Sequence, residues 1–247
     1  DLAAGERRGG HARGWDKRSC ETVVVGSAYY DDLVGRDVAV ERRQARQALG
    51  IADDTLVIGL NGGADRDRVR EMFEPVIAGL RDMSAADRER VALMPLFHVK
   101  DPHRGSYGEL LASFESTGVR LLADDAVRSA VPDSKQLIAL ASFWVMNAGS
   151  TETWTCIHWR IPLVTPLLPL ACAELEKEGI IPDQLAFIAR GAADRVARAI
   201  ELERYVAQLP THLPATQKRL AAAQGTFPLS PRAGGIAAEV ARVGNLS

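Results

Sequence analysis

The sequence predicts an α/β fold, a Rossmann-like parallel sheet with helices on both faces. Three observations carry this. Short apolar runs recur from Thr55 onward, amphipathic stretches of helical spacing lie between them, and 47% hydrophobic content over 247 residues can bury a sizeable core. The runs are residues 55–61, 91–99, 119–123, 143–147 and 162–166. Each is apolar at successive positions, as a strand covered by helices on two sides should be.

Between the first two runs, Val69, Met72, Phe73, Val76, Ile77 and Leu80 recur at helical spacing, with Arg66, Arg68, Arg70, Glu71 and Glu74 on the opposite face. Pro75 inside this stretch removes a backbone hydrogen bond and predicts a kink. Tyr107, Leu110, Leu111 and Phe114 predict a second helix; Leu137, Ile138, Leu140 and Ala141 predict a third, opened by Pro132 and Asp133. Residues 192–209 read as one long late helix, broken by Pro210 and Pro214. Before the first run, residues 23–33 read as a strand with no neighbour ahead of it, followed by an Arg-rich amphipathic stretch at 41–49 and a turn at 51–54. A short helix is expected at 235–243. The domain reading is therefore a leading segment 1–50, a Rossmann-like domain 51–209 and a tail 210–247.

Thirty basic and thirty-two acidic residues leave a net charge of −2, so no global field attracts nucleic acid. Cys20, Cys156 and Cys172 show no CxxC or Cys/His zinc spacing, which argues against a disulfide scaffold or a structural metal and for a reducing, cytoplasmic setting. The most apolar stretch, 161–173, is too short for a membrane span and carries Pro162, Pro166 and Pro169. The chain opens on Asp1 and a Gly- and Arg-rich segment without an apolar signal region, and reads as starting partway through a longer protein or as trimmed near its start.

Ligands of parallel sheets sit beyond the carboxyl ends of the strands. After the first strand, Gly62 and Gly63 mark either a tight turn or a close ligand approach. After the second stands His98, structural or titratable. After the fourth, Asn147, Gly149, Ser150 and Thr151 lead into a helix as a candidate phosphate site, against plain N-capping by one of the hydroxyls. Glu152 either stabilises that helix or accepts ribose hydroxyls. Trp144, Trp154 and Trp159 read as packing residues and Cys156 as inert. There is no GxGxxG and no GxxxxGK[ST], which weakens a dehydrogenase or an NTPase.

Taken in order, the motifs VVVGSAYYDDL, RQARQALGI, TLVIGLNGG, the histidine after the second strand, NAGST and IPLVTPLLP resemble the C-terminal, nucleotide-sugar-binding half of GT-B glycosyltransferases and UDP-GlcNAc 2-epimerases, the lipid-A-disaccharide synthase type among them. The likeness spans residues 23–243 in motif order. It implies a donor-binding half that transfers a sugar from a nucleotide-sugar without a metal or other cofactor, UDP-sugar favoured over CMP-sugar, with inversion. It further implies a bacterial origin and a missing N-terminal acceptor domain, in the same chain or a partner. That domain would supply the catalytic base, and the whole would touch the inner membrane peripherally. By the same likeness residues 23–33 would be the last strand of that first domain or the linker, and 235–243 would cross back to it. Gly62 and Gly63 would lie against the diphosphate, His98 near phosphate or sugar, and Gly149, Ser150 and Thr151 on phosphate. The sequence departs from the family where a ribose-binding glutamate is expected seven residues before Pro162: Thr155 stands there, with Glu152 the nearest carboxylate. A nucleotide-sugar 2-epimerase, a noncatalytic binding domain and another Rossmann enzyme remain alternatives.

Overall fold

A computed structural model describes residues 28–98 and 101–227. Contacts separate a unit Asp37–Phe227 from one comprising Asp1–Arg36 and Pro228–Ser247. The first unit carries the fold. Six parallel strands pair in the order β3-β2-β1-β4-β5-β6, namely β1 Leu56–Asn61, β2 Val91–Leu96, β3 Arg120–Leu121, β4 Phe143–Met146, β5 Leu163–Pro166 and β6 Asp194–Val196. The helices in this unit are α1 Val38–Ala48, α2 Arg66–Asp82, α3 Ala85–Glu89, α4 Gly108–Glu115, α5 Asp124–Ala130, α6 Ser134–Leu140, α7 Glu152–His158, α8 Pro169–Lys177, α9 Ala186–Ala189, α10 Ala199–Ala207 and α11 Leu209–Gln224.

Two helical layers follow from the apolar stripes. α2 packs with α4, α8 and α10, while α6 packs with α1 and α7, and α7 with α11. Asp65 caps α2 by accepting the Arg68 N–H at 2.9 Å, and the helix then buries Val69, Met72, Phe73, Val76, Ile77 and Leu80. It runs on through Pro75. Gly79 lets α10 approach: a Cβ there would stand 2.4 Å from the Glu203 carbonyl oxygen. On the other side, Asp133 caps α6 through the Lys135 N–H at 2.7 Å, and Arg42 of α1 closes its far end by donating to the carbonyls of Ala139 and Ala141. Trp144 on β4 is fully buried and donates to the Ile138 carbonyl, and Gly59 on β1 leaves room for its ring, which a Cβ would meet at 2.5 Å.

Three expectations are corrected. Residues 192–209 are not one helix: Gly191, at φ 68, ends α9, and Asp194–Val196 form the edge strand β6 on β5 before α10 begins at Ala199. A helix-prone composition yields here to the unpaired edge of β5. Pro210 and Pro214 do not break the chain out of helix. Pro210 occupies the first turn of α11, where its missing N–H has no intrahelical partner to lose, and Pro214 is carried one turn further in. Ala28–Leu33, read as strand, is a 3-10 helix, because the Ala-Tyr-Tyr-Asp-Asp run has no two-residue alternation to sustain a strand. Residues 23–27 and the helix expected at 235–243 lie outside the described residues, as do Val99 and Lys100.

Candidate functional site

The chain leaves β1 toward β2 and leaves β4 toward β5, although β1 and β4 are neighbours. Their carboxyl ends therefore form a topological switch point, where the following loops part and leave a crevice. A cleft of about 430 Å³ opens there, lined by residues from β1, β2, β4 and the helices that follow. Gly63, His98, Asn147, Gly149, Ser150, Thr151 and Glu152 all line it, together with Asn61, Leu96, Phe97, Arg128, Ser134, Leu137 and Ile138.

The floor is a hydrogen-bonded knot of small polar groups. The Asn147 N–H donates to the Asn61 carbonyl at 2.9 Å, extending the β1–β4 ladder by one residue. The Asn61 side chain accepts from the Gly63 N–H at 3.2 Å and donates to Ser150 Oγ at 3.3 Å. Gly63 sits at φ 84, a backbone that favours glycine, and a Cβ on it would stand 2.7 Å from Asn147 Nδ2 and displace that side chain. Gly62 faces the other way: a Cβ on it would strike Val69 Cγ2 at 2.9 Å, so its role is the close packing of α2 on β1. It does not line the cleft.

The turn after β4 closes with the Ser150 N–H on the Asn147 carbonyl at 3.0 Å. Ser150 Oγ accepts from the Glu152 N–H at 3.3 Å, so capping accounts for one hydroxyl, while Thr151 makes no side-chain cap bond. Gly149 was expected for a tight turn. Its φ is not positive, and a Cβ would meet nothing within 4 Å, so the turn does not demand glycine.

Glu152 and Thr155 meet in a way the sequence does not reveal. Thr155, fully buried, donates to Glu152 Oε2 at 3.2 Å, and Lys135 of α6, 3% exposed, donates to Thr155 Oγ1 at 3.3 Å and lies 3.9 Å from the same carboxylate oxygen. The carboxylate thus reaches back toward the position where the family resemblance expects one. Lys135 joins α6 to α7 behind the cleft and places a counter-ion beside Glu152.

At the opposite end, the segment after β2 is held from below. Tyr107 stacks on Phe97 at 4.5 Å and donates to the buried Asp101 at 2.7 Å, and Asp101 also accepts from the His103 N–H at 2.8 Å. Burial, reinforced by the Asp101 carboxylate, pushes the Tyr107 hydroxyl well above its ordinary value and keeps it a donor. His98 is exposed at the cleft wall. Beside it Arg128 donates from Nε to Asp124 at 2.6 Å and from Nη2 to the Phe97 carbonyl at 3.0 Å. Sequence reasoning overlooked Arg128 and Lys135. The Asp124 and Arg128 spacing of four residues is a visible helical ion pair; nothing comparable marks Lys135.

The tryptophans pack rather than line the cleft: Trp154 meets Phe187 and Phe227 edge-on, and Trp159 is buried. Burial pushes the Cys156 thiol up, away from reactivity. Among the described residues no three His, Cys, Asp or Glu side chains form a metal-holding group, and no helix is long and apolar enough to cross a membrane.

No protein-family model matches the sequence, and no curated protein matches it. Solved structures do. Acinetobacter baumannii MurG superposes with a TM-score of 0.56 at 12% identity, covering 84% of this chain and 53% of that one. The wall teichoic acid polymerase TagF does so at 0.52 and 15% identity, over 81% of this chain and 46% of that one, and its H444N variant at 0.51 and 12% identity, over 90% and 51%. The chain spans about half the length of these structures. At such identity the likeness is one of fold alone, a Rossmann-like parallel sheet with helices around it.

Proposed function

We propose that this chain is the donor-binding half of a nucleotide-sugar glycosyltransferase of the GT-B kind. The observation that carries the reading is the switch-point cleft, which gathers Gly63, His98, Asn147, Gly149, Ser150, Thr151 and Glu152 around about 430 Å³, a volume suited to a small organic ligand. Small residues and backbone N–H groups at the β1 and β4 ends suit a diphosphate, which needs close approach and fixed donors. Glu152 would repel such a ligand if it stood alone, but Lys135 behind it balances its charge. Glu152, turned toward Thr155, then suits the ribose hydroxyls.

In this reading the transfer inverts the anomeric centre, needs no metal, and relies on backbone N–H groups of the 147–152 turn that are not engaged within it, that of Gly149 among them, to stabilise the departing diphosphate. The acceptor and the base that deprotonates it belong to a second domain, in the same polypeptide or in a partner chain; correspondence to about half of MurG and TagF supports this division. The setting is the cytoplasmic side of a bacterial inner membrane.

The test is thermal stabilisation by nucleotides. UDP at a hundredfold excess over its dissociation constant should stabilise the fold by about 2.7 kcal/mol, read as a rise in melting temperature. The Ser150→Ala, Thr151→Ala double variant should shrink that rise without lowering the unliganded melting temperature by more than a few degrees. No rise with any nucleoside mono- or diphosphate sinks the reading.

A further inference from the structure

Beside the glycine and serine floor, Leu96, Leu137 and Ile138 give the cleft buried apolar lining, and Arg128 contributes to the same lining. The Arg128 guanidinium is held on two sides, by Asp124 through Nε and by the Phe97 carbonyl through Nη2. Of its five N–H donors two are engaged in this way.

The charge around it is balanced. Asp124, 6% exposed, is shared between Arg128 and Arg104, whose Nη2 lies 2.7 Å from Asp124 Oδ2, and Arg104 also pairs with Asp125. Two guanidinium groups thus face two carboxylates. The glycine and serine floor already supplies backbone N–H groups for a diphosphate; Arg128 adds oriented N–H donors whose charge is met by carboxylates, in a cleft with apolar lining. The chemistry that fits is a flat, neutral, heteroaromatic ring with carbonyl oxygens on its edge.

We propose that Arg128 reads the edge of a nucleobase in this cleft and selects the O4 carbonyl of uracil or the O6 carbonyl of guanine over the amino groups that cytosine and adenine carry at those same positions. Guanidinium has donors and no acceptor, so a carbonyl meets a partner whereas an amino group meets another donor. Asp124 and Phe97 fix the fork, so it cannot swing away from a mismatched edge. This inference rests on the donor-site reading above and adds the class of nucleotide.

Isothermal titration of the 247-residue chain with UDP, CDP, GDP and ADP tests it. UDP should bind about tenfold more tightly than CDP, and GDP than ADP, the scale of one oriented contact to a base edge. In Arg128→Gln, whose amide both donates and accepts, each ratio should fall below about threefold, with the circular dichroism spectrum unchanged. Arg128→Lys, which keeps the charge and loses the fork, should do the same if the glutamine variant unfolds. Equal binding of all four by the native chain overturns the proposal, as do ratios that survive in either variant. An equal loss of affinity for all four in the variants, with the ratios kept, assigns Arg128 to phosphate and also overturns it. In each of these cases the donor site still stands; only failure of all four to bind removes both.

Discussion

Gly63 shows how tightly one residue can be specified. Its left-handed backbone and the Asn147 amide 2.7 Å from a would-be Cβ oppose any side chain. Gly63→Ala should destabilise the fold by about 1–2 kcal/mol and weaken nucleotide binding, because the Asn61–Gly63 hydrogen bond that shapes the floor must shift. Chemical denaturation and titration on the same variant measure both. Gly62, one residue earlier, was expected beside the ligand on equal grounds, and its neighbours Val69 and Phe73 give it a packing role instead. A glycine pair in a sequence announces that backbone must come close to something. It does not say whether that something is a ligand or a helix.

Lys135 and Arg128 make the complementary point. Both sit in short helices, and only the folding of α6 against α7, and of α5 beside β2, sets Lys135 behind Glu152 and brings Arg128 to the cleft. Lys135→Met should cost stability by leaving Glu152 without its counter-ion, and Lys135→Met with Glu152→Gln should recover much of that loss, since an uncompensated charge costs more than an absent pair. Denaturation midpoints of Lys135→Met, Glu152→Gln and the double variant decide it; additive effects would show that the pair does not couple.

At the scale of elements, α7 ends in a motif that leaves room for improvement. The Ile161 N–H reaches the Cys156 carbonyl at 2.8 Å and the Arg160 N–H reaches Ile157 at 3.1 Å, with Arg160 at φ 54, the arrangement that usually places glycine at this point. Arg160→Gly should stabilise the protein by about 0.5–1 kcal/mol, the strain relieved exceeding the added freedom of the unfolded chain, and should leave nucleotide affinity unchanged. The edge strand β6 is secured differently. Asp194 accepts from the Tyr205 hydroxyl at 2.7 Å and from Arg219 at 2.6 Å, tying the strand to α10 and α11. These contacts join residues up to 25 positions apart, which explains why a local reading of 192–209 as helix overlooked the strand.

For the whole molecule, the two anchored phenols contribute to a loss of stability at alkaline pH. Burial and the neighbouring carboxylates, Asp101 and Asp194, raise the ionisation of Tyr107 and Tyr205 above that of an unfolded tyrosine. Above about pH 10 the unfolded chain has therefore released protons that the folded chain keeps, so stability is fully present below that pH and falls as pH rises. The steepness should lessen in Tyr107→Phe, measured as melting temperature between pH 8.5 and 11.5; an unchanged slope would exclude Tyr107 as a contributor.

The sequence by itself determined the fold class and the places where chemistry could sit. Apolar runs at 55–61, 91–99, 143–147 and 162–166 and the stripe from Val69 to Leu80 are local patterns, and local patterns decide which face of each element must be buried. The ends of those runs pointed to Gly63, His98 and the 147–152 turn, because in a parallel sheet the loops beyond the strands converge. Only tertiary structure decided what those loops enclose. Strand order puts β1 beside β4 and opens the cleft between them, turns Gly62 into the α2 packing, sets Lys135 behind Glu152 and Arg128 beside His98, and pairs β6 with β5. Each of these depends on contacts between distant residues, whose energies no spacing along the chain encodes.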